Sequence, residues 1–149
     1  MRVQKSVTVA ATPDLCWQVL TTREHQKRWL PEVVDHIPDD PARKDGVGAT
    51  STLKIQEGKR IVDYRETITA WEPGRVLAIR LSGGSLGSMS MDVTYRFVPE
   101  AKGTRLDYEA QMETKGLFIL LAPLFKLISG AKVGGTLARF SEAANAARS

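Results

Sequence analysis

From Ala49 to Glu113 the sequence is a series of alternating segments joined by very short links, and no other feature limits the fold as much. The segments are Ala49 to Gln56, Arg60 to Ala70, Arg75 to Leu81, Ser88 to Val98 and Thr104 to Glu113. Side chains on a strand alternate between two faces, so a period of two predicts strands. The links are built on Gly58, Glu72-Pro73-Gly74, Gly83-Gly84 and Ala101-Lys102-Gly103. They are too short for the crossover that parallel neighbours require, so the strands form an antiparallel meander. A further strand is predicted over Glu32 to Ile37, ended by PDDPARKDG. Another covers Arg2 to Ala10, with Val3, Lys5, Val7 and Val9 on one side.

Two short helices separate these first strands. Thr12 suits an N-cap and Pro13 the first helical position, where its missing N–H costs nothing. Leu15, Val19 and Leu20 then recur at helical spacing. The second helix runs from Arg23 to Trp29 and stops before Pro31. A long helix over Gly116 to Ala147 closes the chain. Helices segregated from a run of strands mean an α+β fold, with the long helix covering the apolar face of the sheet.

The long helix has two halves. Val133, Leu137, Phe140 and Ala144 form one apolar stripe, with Lys132, Arg139, Glu142 and Asn145 outside it. The preceding GLFILLAPLFKLISG is apolar all round: Leu117, Leu120, Leu121, Leu124 and Ile128 share one face, and Phe118 and Phe125 another. Such a helix needs cover on more than one side. A membrane span needs about 20 apolar residues, and here Lys126, Ser129, Gly130 and Lys132 interrupt. The segment therefore reads as the gate of an apolar cavity, with kinks at Pro123 and Gly130, and no stable membrane insertion is expected.

With 149 residues the chain suits one domain over residues 1–149. Its net charge of +4 is dispersed from Arg2 to Arg148, so no nucleic-acid partner is expected. Cys16 is the sole cysteine, which excludes an internal disulfide. Cys16, His25 and His36 show no zinc spacing, and no metal or other cofactor is expected. MRVQKSVTVA lacks the apolar core of a signal peptide, so a cytoplasmic protein is expected, monomer or homodimer.

The inner face predicted for the sheet is apolar without being tightly aliphatic. Met89, Met91, Val93, Tyr95 and Phe97 share one face of their strand, and Leu106, Tyr108, Ala110 and Met112 one face of the next. Methionine adapts to irregular apolar shapes, and a buried tyrosine needs a partner for its hydroxyl. On RIVDYRETITAW the more apolar face is Val62, Tyr64, Glu66, Ile68 and Ala70, which puts Glu66 inside unless a bulge returns it to solvent. Arg80 is its candidate partner if Val76, Ala78 and Arg80 face in; the other register turns Leu77, Ile79 and Leu81 inward instead. The candidate ligand set is Tyr64, Glu66, Tyr95 and Tyr108, with Trp29, Met89, Met91, Met112, Phe118, Leu121 and Phe125 as apolar wall. Glu66 is also the candidate catalytic carboxylate, its pKa raised by burial. His25 reads as exposed and His36 as the end of a strand.

Several stretches together resemble the START-like, or SRPBCC, superfamily. They are the opening strand followed by AATPDLCWQVL, Trp29-Leu30-Pro31, Gly46-Val47-Gly48 entering a strand, TAWEPGRVLAIR, AKGTRLDYEAQME and the apolar C-terminal helix. That group includes polyketide cyclase/dehydrase and lipid-transport proteins and the birch-pollen-allergen-like fold. The resemblance implies a helix-grip fold: a curved antiparallel sheet of six or seven strands around a long C-terminal helix, with a deep apolar cavity between. It implies a small hydrophobic or amphipathic ligand of lipid, polyketide or aromatic type. The alternative is a cyclase or dehydratase acting on a polyketide-like substrate in the same cavity.

Overall fold

Strand β1 (Arg2–Val9) leads into helices α1 (Pro13–Thr21) and α2 (Arg23–Trp29). Strands β2 (Val33–Pro38), β3 (Thr50–Glu57), β4 (Arg60–Glu72), β5 (Val76–Gly83), β6 (Ser90–Glu100) and β7 (Gly103–Met112) follow, then helix α3 (Gly130–Ala147). The computed structural model describes residues 2–112 and 130–148. The apolar segment 116–130, with Phe118, Leu121 and Phe125, lies outside the described residues apart from its final Gly130, so the gate read from it does too.

The seven strands form one curved sheet in the order β1-β7-β6-β5-β4-β3-β2, with every neighbouring pair antiparallel. Six strands are therefore the expected meander. The first strand adds itself beside the last, and α1 and α2 carry the chain from one sheet edge to the other. The start of α1 follows its sequence: Thr12 Oγ1 accepts from the Leu15 N–H at 3.3 Å, and Pro13 opens the helix. The β7–β1 edge is drawn tight at Gly103. Its φ is +146°, and a Cβ there would lie 2.1 Å from the Val9 carbonyl oxygen, so only glycine fits.

Helix α3 packs on β1, α1 and α2 through the predicted stripe, in which Val133, Leu137, Phe140 and Ala144 are all buried. Phe140 is fully buried and stacks with Phe97, while Trp29 meets it edge-on at 5.2 Å. The Trp29 indole donates to the Val19 carbonyl at 3.1 Å, so this large ring is buried without an unpaired polar atom. Arg139 ties α3 to the chain between α2 and β2: it donates to the Trp29 carbonyl and to Glu32 at 3.2 Å. Among the described residues no helix is long and apolar enough to cross a membrane.

Two bulges matter for what faces inward. On β4 the alternation Tyr64, Glu66, Ile68 is kept. The register then shifts between Ile68 and Ala70, which turns Trp71 toward the core against Trp17, ring centroids 5.0 Å apart. On β2 the register shifts between Val33 and Asp35. Val33 is buried, and strict alternation from it would turn Asp35 and Ile37 inward. The extra residue instead leaves both exposed and brings His36 to the inner face.

Candidate ligand-binding cavity

Between the sheet and α3 lies a cavity of about 180 Å³. Its walls come from Trp29 and Leu30 at the end of α2, from Leu53, Ile68, Ile79, Met91 and Val93 on the sheet, and from Val133 and Leu137 of α3. Loop residues Lys44 and Asp45 also reach it. Into this largely apolar space project a few polar side chains from separate elements, among them Gln26, His36, Glu66, Tyr95 and Tyr108.

Glu66 is buried, and its Oε1 lies 3.6 Å from His36 Nε2. The two side chains meet diagonally across β3, since Glu66 is paired with Ser51 and His36 with Leu53. Burial disfavours the charged carboxylate and pushes the Glu66 pKa from the ordinary 4.5 up to about 7. His36 moves the other way: burial lowers its pKa, Arg23 adds to that, and Asp35 opposes it. Both groups are thus biased to be neutral.

The ring nitrogen of His36 farther from Glu66 is also engaged. Nδ1 lies 3.4 Å from Gln26 Oε1, which accepts from Arg23 Nη1 at 3.2 Å, while Arg23 Nη2 donates to the Val33 carbonyl at 3.1 Å. Tyr95 and Tyr108 meet edge to face at 5.4 Å, and Trp29 lies 6.2 Å from Tyr95. Burial pushes the Tyr108 hydroxyl to about 12 and that of Tyr95 well above its ordinary value, with Tyr108 and Glu66 both opposing ionisation of Tyr95. Both phenols therefore stay protonated and serve as donors. Neither hydroxyl forms a hydrogen bond among the described residues.

Of the residues singled out in the sequence, the structure brings Trp29, Glu66, Met91, Tyr95 and Tyr108 together around the cavity. Tyr64 and Met112 are buried elsewhere in the core, and Met89 is half-buried in the turn before β6. Tyr64 has its own partners. Its hydroxyl donates to Glu57 and accepts from the Ser85 N–H at 3.3 Å, and the Gly84 turn lies against its ring. Arg80 faces outward and pairs with Asp92 at 2.9 Å, so Leu77, Ile79 and Leu81 take the inner face of β5. His36, not Arg80, is the partner of Glu66. The bulge that turns it inward contains neither glycine nor proline, so no local signal in VVDHIP marks it. His25 is half-buried rather than exposed. Among the described residues no group of three or more His, Cys, Asp and Glu could hold a metal ion.

Residues 1–147 match the family described as polyketide cyclase / dehydrase and lipid transport. The chain belongs to that family. Proteins of known structure share the fold of this cyclase/dehydrase and lipid-transport family member over nearly its whole length. The protein TTHA0849 from Thermus thermophilus is 22% identical with a TM-score of 0.74, each chain covered in full. Norcoclaurine synthase from Thalictrum flavum, solved as a point mutant with a transition-state analogue, is 18% identical with a TM-score of 0.74, over 100% of this chain and 96% of that one. Ara h 8.0201 is 11% identical with a TM-score of 0.73, over 98% of both. No curated protein matches the sequence. The family and the neighbours agree on a curved seven-stranded sheet with a C-terminal helix.

Proposed function

We propose that this protein binds a small hydrophobic or amphipathic ligand, enclosed between the sheet and α3. The observation that carries the reading is the cavity itself: largely apolar walls, with a carboxyl, an imidazole and two phenols from different strands on its lining, the phenols without a hydrogen bond among the described residues. Apolar walls with a few orienting polar groups are the mark of small-molecule sites. A void of about 180 Å³ is small for that class, since an apolar cavity of about 150 Å³ already takes benzene. A void of this size suits a single ring or a short chain with one or two polar atoms. It accords with this size that norcoclaurine synthase has been solved with dopamine and hydroxybenzaldehyde, both one-ring compounds. A second reading, an enzyme of cyclase or dehydratase type, is favoured by the contact between Glu66 and His36.

In this reading the protein works in the cytoplasm, as a monomer or homodimer, without nucleic-acid partners. The buried thiol of Cys16 stays reduced there. Native mass spectrometry of the purified protein, with identification of whatever co-purifies, tests for an endogenous ligand. Titration with a panel of phenols, aryl aldehydes and short-chain acids, followed on the Met91 methyl NMR signal, tests the cavity directly. The expected result is a saturable shift for one-ring compounds. A Met91 signal that none of them moves would sink the proposal.

A further inference from the structure

We propose that Glu66, oriented by His36 and Gln26, is a general base that moves a proton on a small β,γ-unsaturated ketone, whose carbonyl oxygen is taken by Tyr95 and Tyr108. This rests on the reading that the cavity holds a one-ring or short-chain ligand.

Proton bookkeeping around the pair is determined by Arg23. A guanidinium only donates, so the Gln26 atom that faces both Arg23 and His36 is its oxygen. His36 Nδ1, 3.4 Å from that oxygen, must then carry a hydrogen, and in the neutral ring Nε2 presents its lone pair to Glu66. A protonated Glu66 can donate to that lone pair, and an ionised Glu66 can receive a proton from the ligand. The 3.6 Å separation is longer than a hydrogen bond, and contacts of this type tighten when a site is loaded. No hydrogen bond holds Glu66 among the described residues. A buried carboxyl with so little compensation is costly to the fold, and such perturbed groups in a cleft mark reactive sites.

The rest of the site supplies what a base of this kind needs. Tyr95 and Tyr108 lie beside one another and Tyr95 is close to Glu66, so one ligand can meet the carboxyl and both phenols. Among the described residues, the charged and titratable groups around the pair are Arg23 on α2 and Asp35 on β2, the phenols on β6 and β7, Lys44 and Asp45 on the loop, and Glu32 with its partner Arg139 of α3.

In the step, the C–H bond between the carbonyl and the alkene breaks and its proton goes to the Glu66 carboxylate. The bonding pair forms a new C=C, and the carbonyl π pair moves to oxygen, where the two phenols donate to it. The proton held by Glu66 then returns to the far carbon of the dienolate. The product is the conjugated ketone, the carboxylate is regenerated, and no oxidant or other reactant is consumed.

The test uses the full chain with 3-cyclohexenone and related one-ring β,γ-unsaturated ketones in deuterated buffer. Conjugated enone is followed by absorbance, deuterium uptake by NMR, and binding by the Met91 methyl signal. The wild type is expected to isomerise the probe at least about 100-fold faster than buffer, with the rate rising through pH of about 7. Glu66→Gln abolishes that gain and Glu66→Asp restores part of it. Should Glu66→Gln fail to fold by circular dichroism, the Tyr95→Phe/Tyr108→Phe double variant is expected to lose about 10-fold or more. Gln26→Leu releases the His36 tautomer and moves the midpoint of the pH profile, which a merely structural residue would leave in place. If the probes shift Met91 but isomerise no faster than in buffer, or if folded Glu66→Gln matches the wild type, the proton transfer is overturned and ligand binding stands. If no probe in the series shifts Met91, both fall.

Discussion

Replacing Glu66 by glutamine should make the protein more stable, and only at the higher end of the pH range. In the unfolded chain the carboxyl ionises near 4.5, whereas in the fold burial holds it protonated up to about 7. Between these values the native state binds the extra proton, so stability falls as pH rises through this window and levels off above it. At about 1.4 kcal/mol per pH unit, the gap between 4.5 and about 7 makes the ionised carboxylate cost about 3 kcal/mol. Glutamine has nearly the same shape and carries no charge at any pH. The stability difference between Glu66→Gln and wild type should therefore be close to zero at pH 4 and climb to about 3 kcal/mol by pH 8. For a chain of this length that corresponds to a melting temperature higher by about 6 to 12 °C at pH 8. Urea unfolding of both proteins at half-unit steps from pH 4 to 8 measures the curve. Other groups, His36 included, are common to both proteins, so their titration cancels to first order. A difference that stays flat across the range would refute the argument, because a carboxyl that reaches water has no raised pKa to relieve.

Three other expectations follow from the packing. Trp29→Ala removes a ring that is 1% exposed and touches Tyr95 and Phe140, so it should cost about 3 to 5 kcal/mol; a thermal melt near that of the wild type would contradict this. Thr104 is fully buried and donates to the Ala11 carbonyl at 2.7 Å, so Thr104→Val should cost about 1 to 3 kcal/mol in denaturant titrations while Thr104→Ser keeps part of the bond. Cys16 is buried and its thiol pKa is raised by that burial, so it should react with a thiol reagent far more slowly than an exposed cysteine, and at the exposed rate only after unfolding.

On the sheet, the candidate site was legible only in its members that obey a period of two. Glu66 faces the core because it falls between Tyr64 and Ile68 on a strand whose alternation holds through those positions. Met91, Tyr95 and Tyr108 follow for the same reason. His36 does not, because a bulge after Val33 reverses which of its neighbours point inward, and a bulge without glycine leaves no trace in a short segment. Tyr64 illustrates the converse. Its inward direction was predictable from alternation, but the partner of its hydroxyl, Glu57, comes from the end of β3 and lies on the far side of a turn.

By itself the sequence determined the α+β class, the antiparallel meander, the starts of α1 and α2 and the apolar stripe of α3. All of these rest on periodicities and turn residues that act within a few positions of one another. Only the tertiary structure decided that β1 closes the sheet beside β7, that Arg80 turns out to Asp92, and that Gln26, His36 and Glu66 form one chain of contacts. Those outcomes join residues far apart in the chain and depend on one-residue register shifts. Register is set by how whole faces pack against each other rather than by local preference.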